Sequence, residues 1–235
     1  MKHIRKVSRR AFLAAAGGTL VNIGLPGSFI KLASAEQNAL QTTSRPDGRP
    51  RLPPGQSAVR KIITMGGTAP GTTEVNDWSL RVYGEVDRPL ALSYKELLDL
   101  EQVNITCDVH CVTGWSLLDS HWGGVRLETI MDRVRPRRNG RFIVFEAAAG
   151  FTSNIPIGDI RKEGVILAHS FEGEQLPREN GAPVRAIVPD RYFYKSAKWM
   201  EAIKVTARDE PGFWESAGYS NSADPWKNER FDEMR

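Results

Sequence analysis

Cysteine is scarce in this sequence: there are two among 235 residues, at positions 107 and 111. Two thiols cannot build an iron–sulfur cluster of the four-thiolate kind, and no Cys-x-x-Cys-His sequence offers a covalent haem site. After the first 35 residues, no apolar run approaches the roughly 18 residues needed to span a bilayer. No Gly-rich dinucleotide fingerprint follows a strand-like segment, and no internal repeat is present. A basic excess is missing too once the amino terminus is set aside. Six of the 32 Lys and Arg, but none of the 28 Asp and Glu, lie in residues 1–35, so the remainder is slightly acidic. A nucleic-acid partner therefore has no electrostatic support.

The amino terminus has the layout of a targeting segment. Lys2, Arg5, Lys6, Arg9 and Arg10 form a basic start, residues 11–25 are apolar and small, and Ala33-Ser34-Ala35 supplies a small-residue cleavage site. Ser8-Arg9-Arg10-Ala11-Phe12-Leu13 resembles the twin-arginine export signal, whose machinery carries proteins already folded. Residues 1–35 are thus expected to be a signal, and the mature protein to be periplasmic or otherwise exported and soluble. Residues 36–57 are rich in Pro and Gly and are expected to form a tether. Residues 58–235 have the length for one domain with a sizeable core.

Within that domain, Trp78, Leu80, Val82, Gly84 and Val86 alternate with polar residues, the period of a half-buried strand. Ser93-Tyr94-Lys95-Glu96 reads as a capping box that opens a short helix through Leu98. Residues 103–107 read as a strand. Leu127, Ile130, Met131 and Val134 share one helical face, and strand character returns near Phe142 and Val144. Residues 157–161 suit a helical turn, and residues 165–171, 184–188 and 199–205 suit three further strands. Short strands with short helices and long connections predict an α+β fold, a single mixed-sheet domain.

The densest chemistry lies in Thr106-Cys107-Asp108-Val109-His110-Cys111-Val112-Thr113-Gly114-Trp115-Ser116. Three readings are open from spacing alone. A Cys107–Cys111 disulfide suits an oxidising compartment but closes a very small loop. A zinc site would draw on Cys107, His110, Cys111 and His121, without the paired Cys-x-x-Cys spacing usual for zinc. The third is a pair of free buried thiols.

His110-Cys111-Val112-Thr113-Gly114-Trp115-Ser116, followed by Trp122-x-Gly124-Val125, resembles the metal-binding segment of the sulfite-oxidase-like molybdopterin-dependent oxidoreductases, in particular a short, haem-less, exported bacterial branch. The resemblance implies that Cys111 binds molybdenum carried on a pterin cofactor and that Cys107 is a small buried residue. A soft thiolate suits such a metal. His110 is expected either to orient the site through a ring nitrogen or, as the simpler reading, to be a satisfied core histidine. Asn180-Gly181-Ala182-Pro183-Val184-Arg185 and Tyr194-Lys195-Ser196-Ala197-Lys198-Trp199 resemble the pterin-binding stretch of the same family. Asn180, Arg185, Lys195, Ser196, Ala197 and Lys198 are therefore expected to hold the cofactor, with Arg185 as a bidentate donor and Lys195 and Lys198 as point charges for its phosphate.

A third segment, from Asp209 to Lys227, resembles the carboxy-terminal part of that branch and is read as fold, with Trp214 and Trp226 packing. Ser220 stands where a histidine is common. The resemblance implies an oxygen-atom transfer to or from a small substrate, with electrons exchanged with a separate cytochrome or membrane quinone-linked subunit. Sulfite-oxidising members carry arginines just after the metal cysteine, whereas Val112, Thr113, Gly114 and Trp115 stand here. The Cys-Val-x-x-Trp-Ser pattern is closer to the periplasmic methionine-sulfoxide reductases, although their amino-terminal pterin segment has no counterpart at residues 59–76.

Overall fold

Apolar alternation and local capping account for most elements of the domain. In the computed structural model, residues 40, 43–65, 70, 72 and 74–232 are described, so the signal expected over residues 1–35 lies outside them. Strand β2 (Ser79–Gly84) buries Leu80 and Val82 and exposes Arg81, as its period demands. It pairs antiparallel with β3 (Leu90–Ser93), which runs into helix α1 (Tyr94–Leu98). The Ser93 hydroxyl accepts from the Glu96 amide, while the Glu96 carboxylate accepts from the Ser93 amide at 2.8 Å. Helix α2 (Leu127–Val134) buries the four apolar residues of its single face.

Two sheets carry the fold. One has the order β3-β2-β11-β6-β7, where β6 is Phe142–Ala147, β7 is Thr152–Pro156 and β11 is Met200–Thr206. The other is organised on the long strand β5 (Trp115–Arg126), which pairs with β4 (Val103–His110), β1 (Ser57–Val59) and β8 (Ile166–Phe171). Strand β8 pairs in turn with β9 (Glu174–Gln175) and β10 (Arg185–Ile187). The mix of parallel and antiparallel pairs with few helices is an α+β domain. Gly124 allows β5 to approach β8, because a Cβ there would lie 2.1 Å from the Leu167 carbonyl oxygen.

The side-chain period of two divides the interior. Leu167 and Ala186 enter the larger core with Leu80, Phe145 and the apolar face of α2, whereas Ile166, Ala168 and Ile187 enter a second core with Val109, Cys111, Trp115 and Trp122. Cys111 is therefore seated in a core and not on a surface loop.

The Pro- and Gly-rich stretch is no free tether over residues 43–57. The Trp226 indole donates to the Pro50 carbonyl at 2.7 Å, and the Arg49 guanidinium lies 3.9 Å from the Trp226 ring centroid. Arg45 reaches Asp190 and Arg51 reaches Asp108, each at 2.8 Å, while Leu52 and Gln56 are buried. Pro and Gly remove regular structure, but interspersed Arg, Leu and Gln supply docking contacts that composition does not register.

Candidate active site

Cys111 lies at the turn between β4 and β5. Its amide donates to the Trp115 carbonyl at 2.8 Å, and the Gly114 amide donates back to the Cys111 carbonyl at 3.0 Å. Gly114 has φ +105°, a conformation that side-chain-bearing residues rarely adopt. The thiol is 7% exposed, with Sγ 3.1 Å from the Thr113 hydroxyl. Burial pushes its pKa up, opposed by the hydrogen bonds from Thr113. Bound to a metal, the same sulfur would be a thiolate.

Neither the disulfide nor the zinc site forms at this cluster. Both cysteines are free thiols. Cys107 is half-buried, and its thiol is pushed up to about 12, chiefly by desolvation, which leaves it inert. His121 is exposed and hydrogen-bonded to Thr106 at 2.9 Å. Among the described residues, no group of three or more His, Cys, Asp or Glu is arranged to hold a metal ion.

His110 is fully buried, its Nδ1 2.8 Å from the Ser116 hydroxyl and its ring edge-on to Trp226 at 5.1 Å between centroids. Burial holds it neutral by lowering its pKa to about 4. Its Nε2 is buried without a hydrogen-bond partner.

In the 180–198 segment, the expected cations divide. The Arg185 guanidinium is buried and donates to the carbonyls of Asn180 at 2.7 Å, Ser196 at 2.9 Å and Ala186 at 3.4 Å, with the Phe193 ring centroid 4.2 Å away. Lys195, expected to present a point charge to phosphate, instead spends it inside the protein. It is 0% exposed, ion-paired with Glu215 and donates to Asn154 Oδ1 at 2.7 Å. Only a partner of equal burial makes such a charge tolerable. The Ser196 hydroxyl accepts from the Val188 amide at 2.9 Å, and the Ala197 carbonyl accepts from Ala186 at 2.8 Å. Lys198 is partly exposed and donates to the carbonyls of Met65 at 2.6 Å and Glu179 at 3.2 Å. Burial lowers its pKa to about 8.

The residues present fit a pterin-borne metal. Besides the Cys111 thiol, the Asn180 Oδ1 acceptor and the Trp115 Nε1 donor are buried without hydrogen-bond partners. Native interiors rarely leave such atoms unpaired unless a ligand or water completes them. Sequence reasoning missed Gln56, which donates to the Cys111 carbonyl at 3.0 Å, and Arg230, which donates to the Val112 carbonyl. No local pattern marks either residue, since they lie 55 and 118 positions from their partners.

Fold and site together define a domain with one buried thiol on a turn and buried polar atoms left without partners. Residues 66–214 match the oxidoreductase molybdopterin binding domain, and the chain belongs to that family. It is a molybdopterin-dependent oxidoreductase, and membership implies a molybdenum–pterin cofactor. The chain is 38% identical over 190 residues to the uncharacterized oxidoreductase YuiH of Bacillus subtilis, covering 80% of this chain and 96% of that protein. It is 27% identical over 241 residues to the protein-methionine-sulfoxide reductase catalytic subunit MsrP of Burkholderia mallei, covering 91% of this chain and 72% of that protein. The sulfane dehydrogenase SoxCD of Paracoccus pantotrophus shares the fold, with a TM-score of 0.55 and 18% identity over 79% of this chain and 55% of that one. No helix among the described residues is long and apolar enough to cross a membrane.

Proposed function

We propose that Cys111 Sγ is the protein's ligand to molybdenum, and that Asn180, Arg185, Ser196, Ala197 and Lys198 form the pterin side of the site. The observation that carries this reading is a buried thiol on a rigid turn, in a fold that also leaves Asn180 Oδ1 and Trp115 Nε1 unpaired. When bound, the cofactor supplies two-electron oxygen-atom exchange with a small substrate. The chain's own part is to fix the sulfur, present the Asn180 acceptor to a ring donor and place Lys198 near negative charge. Arg185 shapes the cradle through three carbonyls, and Lys195 serves as frame.

A sulfoxide-type substrate is favoured over sulfite. Arg230 is the cation whose charge acts on Cys111, but its guanidinium is committed to the Val112 and Gly55 carbonyls and to Asn228 Oδ1. An oxyanion therefore finds no uncommitted guanidinium in that contact set. The similarity to MsrP points the same way, and the description of that relative as a catalytic subunit supports a separate electron carrier, a cytochrome or quinone-linked membrane subunit. Export through the twin-arginine machinery to the periplasm completes the reading, supported by Ser8-Arg9-Arg10-Ala11-Phe12-Leu13.

The test is elemental analysis of the full-length protein matured in a host that makes the pterin cofactor, beside a Cys111→Ser variant. Stoichiometric molybdenum is expected in the wild type, with loss of most metal and activity in the variant. Full metal-dependent activity in Cys111→Ser would remove the ligand assignment.

A further inference from the structure

The Cys111 turn is tied to a buried hydrogen-bonded chain whose polarity can be worked out atom by atom. A backbone carbonyl only accepts, so the Gln56 group 3.0 Å from the Cys111 carbonyl is its NH2, and Gln56 Oε1 faces the other way. That oxygen accepts from the Ser116 hydroxyl at 3.2 Å. With its hydrogen spent on Gln56, the Ser116 oxygen accepts at 2.8 Å from His110 Nδ1, which must carry the ring proton. Gln56, Ser116 and His110 are 4%, 0% and 0% exposed, so water does not compete for these bonds.

We propose that His110, Ser116 and Gln56 form a positioning relay that fixes the Cys111 peptide and, through it, the direction in which Sγ meets a bound metal. This assigns His110 a positioning role through Nδ1. Its Nδ1 is spent on Ser116, and its ring lies against Trp226 in the interior. Gln56 belongs to the stretch docked by Arg45, Arg49 and Arg51, so that docking also supports the site. The relay rests on Cys111 being the metal ligand, and outer residues that orient ligands characteristically change activity by about 10- to 100-fold when removed.

Two measurements test it. In the cofactor-free protein, 15N NMR of the His110 ring is expected to show the Nδ1–H tautomer, and Ser116→Ala is expected to lose that preference. An Nε2–H tautomer in the wild type overturns the relay without reference to any metal. In the cofactor-loaded full chain, Ser116→Ala and Gln56→Met are expected to retain molybdenum, shift the Mo(V) electron paramagnetic resonance spectrum and lower kcat about 10-fold, while Ser116→Thr restores both. Spectra superimposable on wild type in both variants overturn the relay. If Ser116→Ala does not fold, Gln56→Met decides alone: it removes both the donor to Cys111 and the acceptor for Ser116, so an unchanged spectrum overturns the relay. Cys111→Ser is run in parallel; a wild-type Mo(V) spectrum in that variant overturns the ligand assignment and the relay together, whereas a lost or altered one isolates the relay.

Discussion

The turn at residues 111–114 and the segment at residues 180–198 treat their polar atoms in opposite ways. In the turn, backbone bonds and Gln56 hold the peptide while Cys111 Sγ lies 3.1 Å from the Thr113 hydroxyl. In the segment, Arg185 and Lys195 are buried and spent on carbonyls, Asn154 and Glu215, while Lys198 reaches outward to Met65 and Glu179. The difference teaches that cations in a binding motif are of two kinds. Those with no exposure build the frame, and the one at the rim, Lys198, keeps part of its surface open.

The largest expected effect comes from breaking the frame. Glu215→Ala strands the buried Lys195 ammonium and is expected to cost about 3–5 kcal/mol. At about 2–4 °C per kcal/mol, calorimetry would read that as a fall in Tm of roughly 6–20 °C. The double replacement of Lys195 and Glu215 by methionine recovers most of it, because the desolvation cost disappears with the charges. A double variant as unstable as the single one would show that the pair does more than neutralise itself.

Arg185→Lys comes next. A point-charge ammonium cannot reach the Asn180 and Ser196 carbonyls with the same fork, so a loss of about 2–3 kcal/mol is expected in urea unfolding, together with weaker cofactor retention. A variant that loses cofactor with no loss of stability would move Arg185 from frame to rim.

Lys198→Met sharpens the comparison from the other side. Stability should stay within about 1 kcal/mol, whereas affinity for the phosphate-bearing cofactor falls roughly 10-fold or more, the worth of one charge-assisted hydrogen bond. Dialysis followed by metal analysis reads the difference. Equal retention would place Lys198 outside the cradle.

The smallest effect concerns pH. Burial holds Lys198 at about 8 against an ordinary 10.5, so the unfolded chain binds its proton over a range where the folded chain does not. Stability of the cofactor-free protein then rises from pH 8 towards 10.5, because the unfolded state binds more protons there. The rise measured for wild type minus Lys198→Met should be positive; a flat difference would show that the charge is not desolvated in the fold.

Much of the fold was legible because its causes are local. The Ser93–Glu96 capping box, the apolar face of residues 127–134 and the strand periods near residues 80, 144 and 167 all form as expected. Within the site, the turn around Cys111 was marked by its unusual residue cluster. The partition of Arg185, Lys195 and Lys198 was not legible, since Glu215 and Met65, which settle it, lie 20 and 133 positions from their lysines. Residues 43–57 escaped for a related reason: their partners Trp226, Asp190 and Asp108 are distant in the chain.

Sequence by itself determined the family motif and the periods that seat it, because residue type and alternation act over a few neighbours. Tertiary structure alone decided which charges are neutralised and which polar atoms stay unpaired, because burial depends on what the rest of the chain lays over them. Cys111 carries both lessons. Its identity is written in the motif, but its burial and its link through Gln56 and Ser116 to His110 exist only once β1, β4 and β5 have come together.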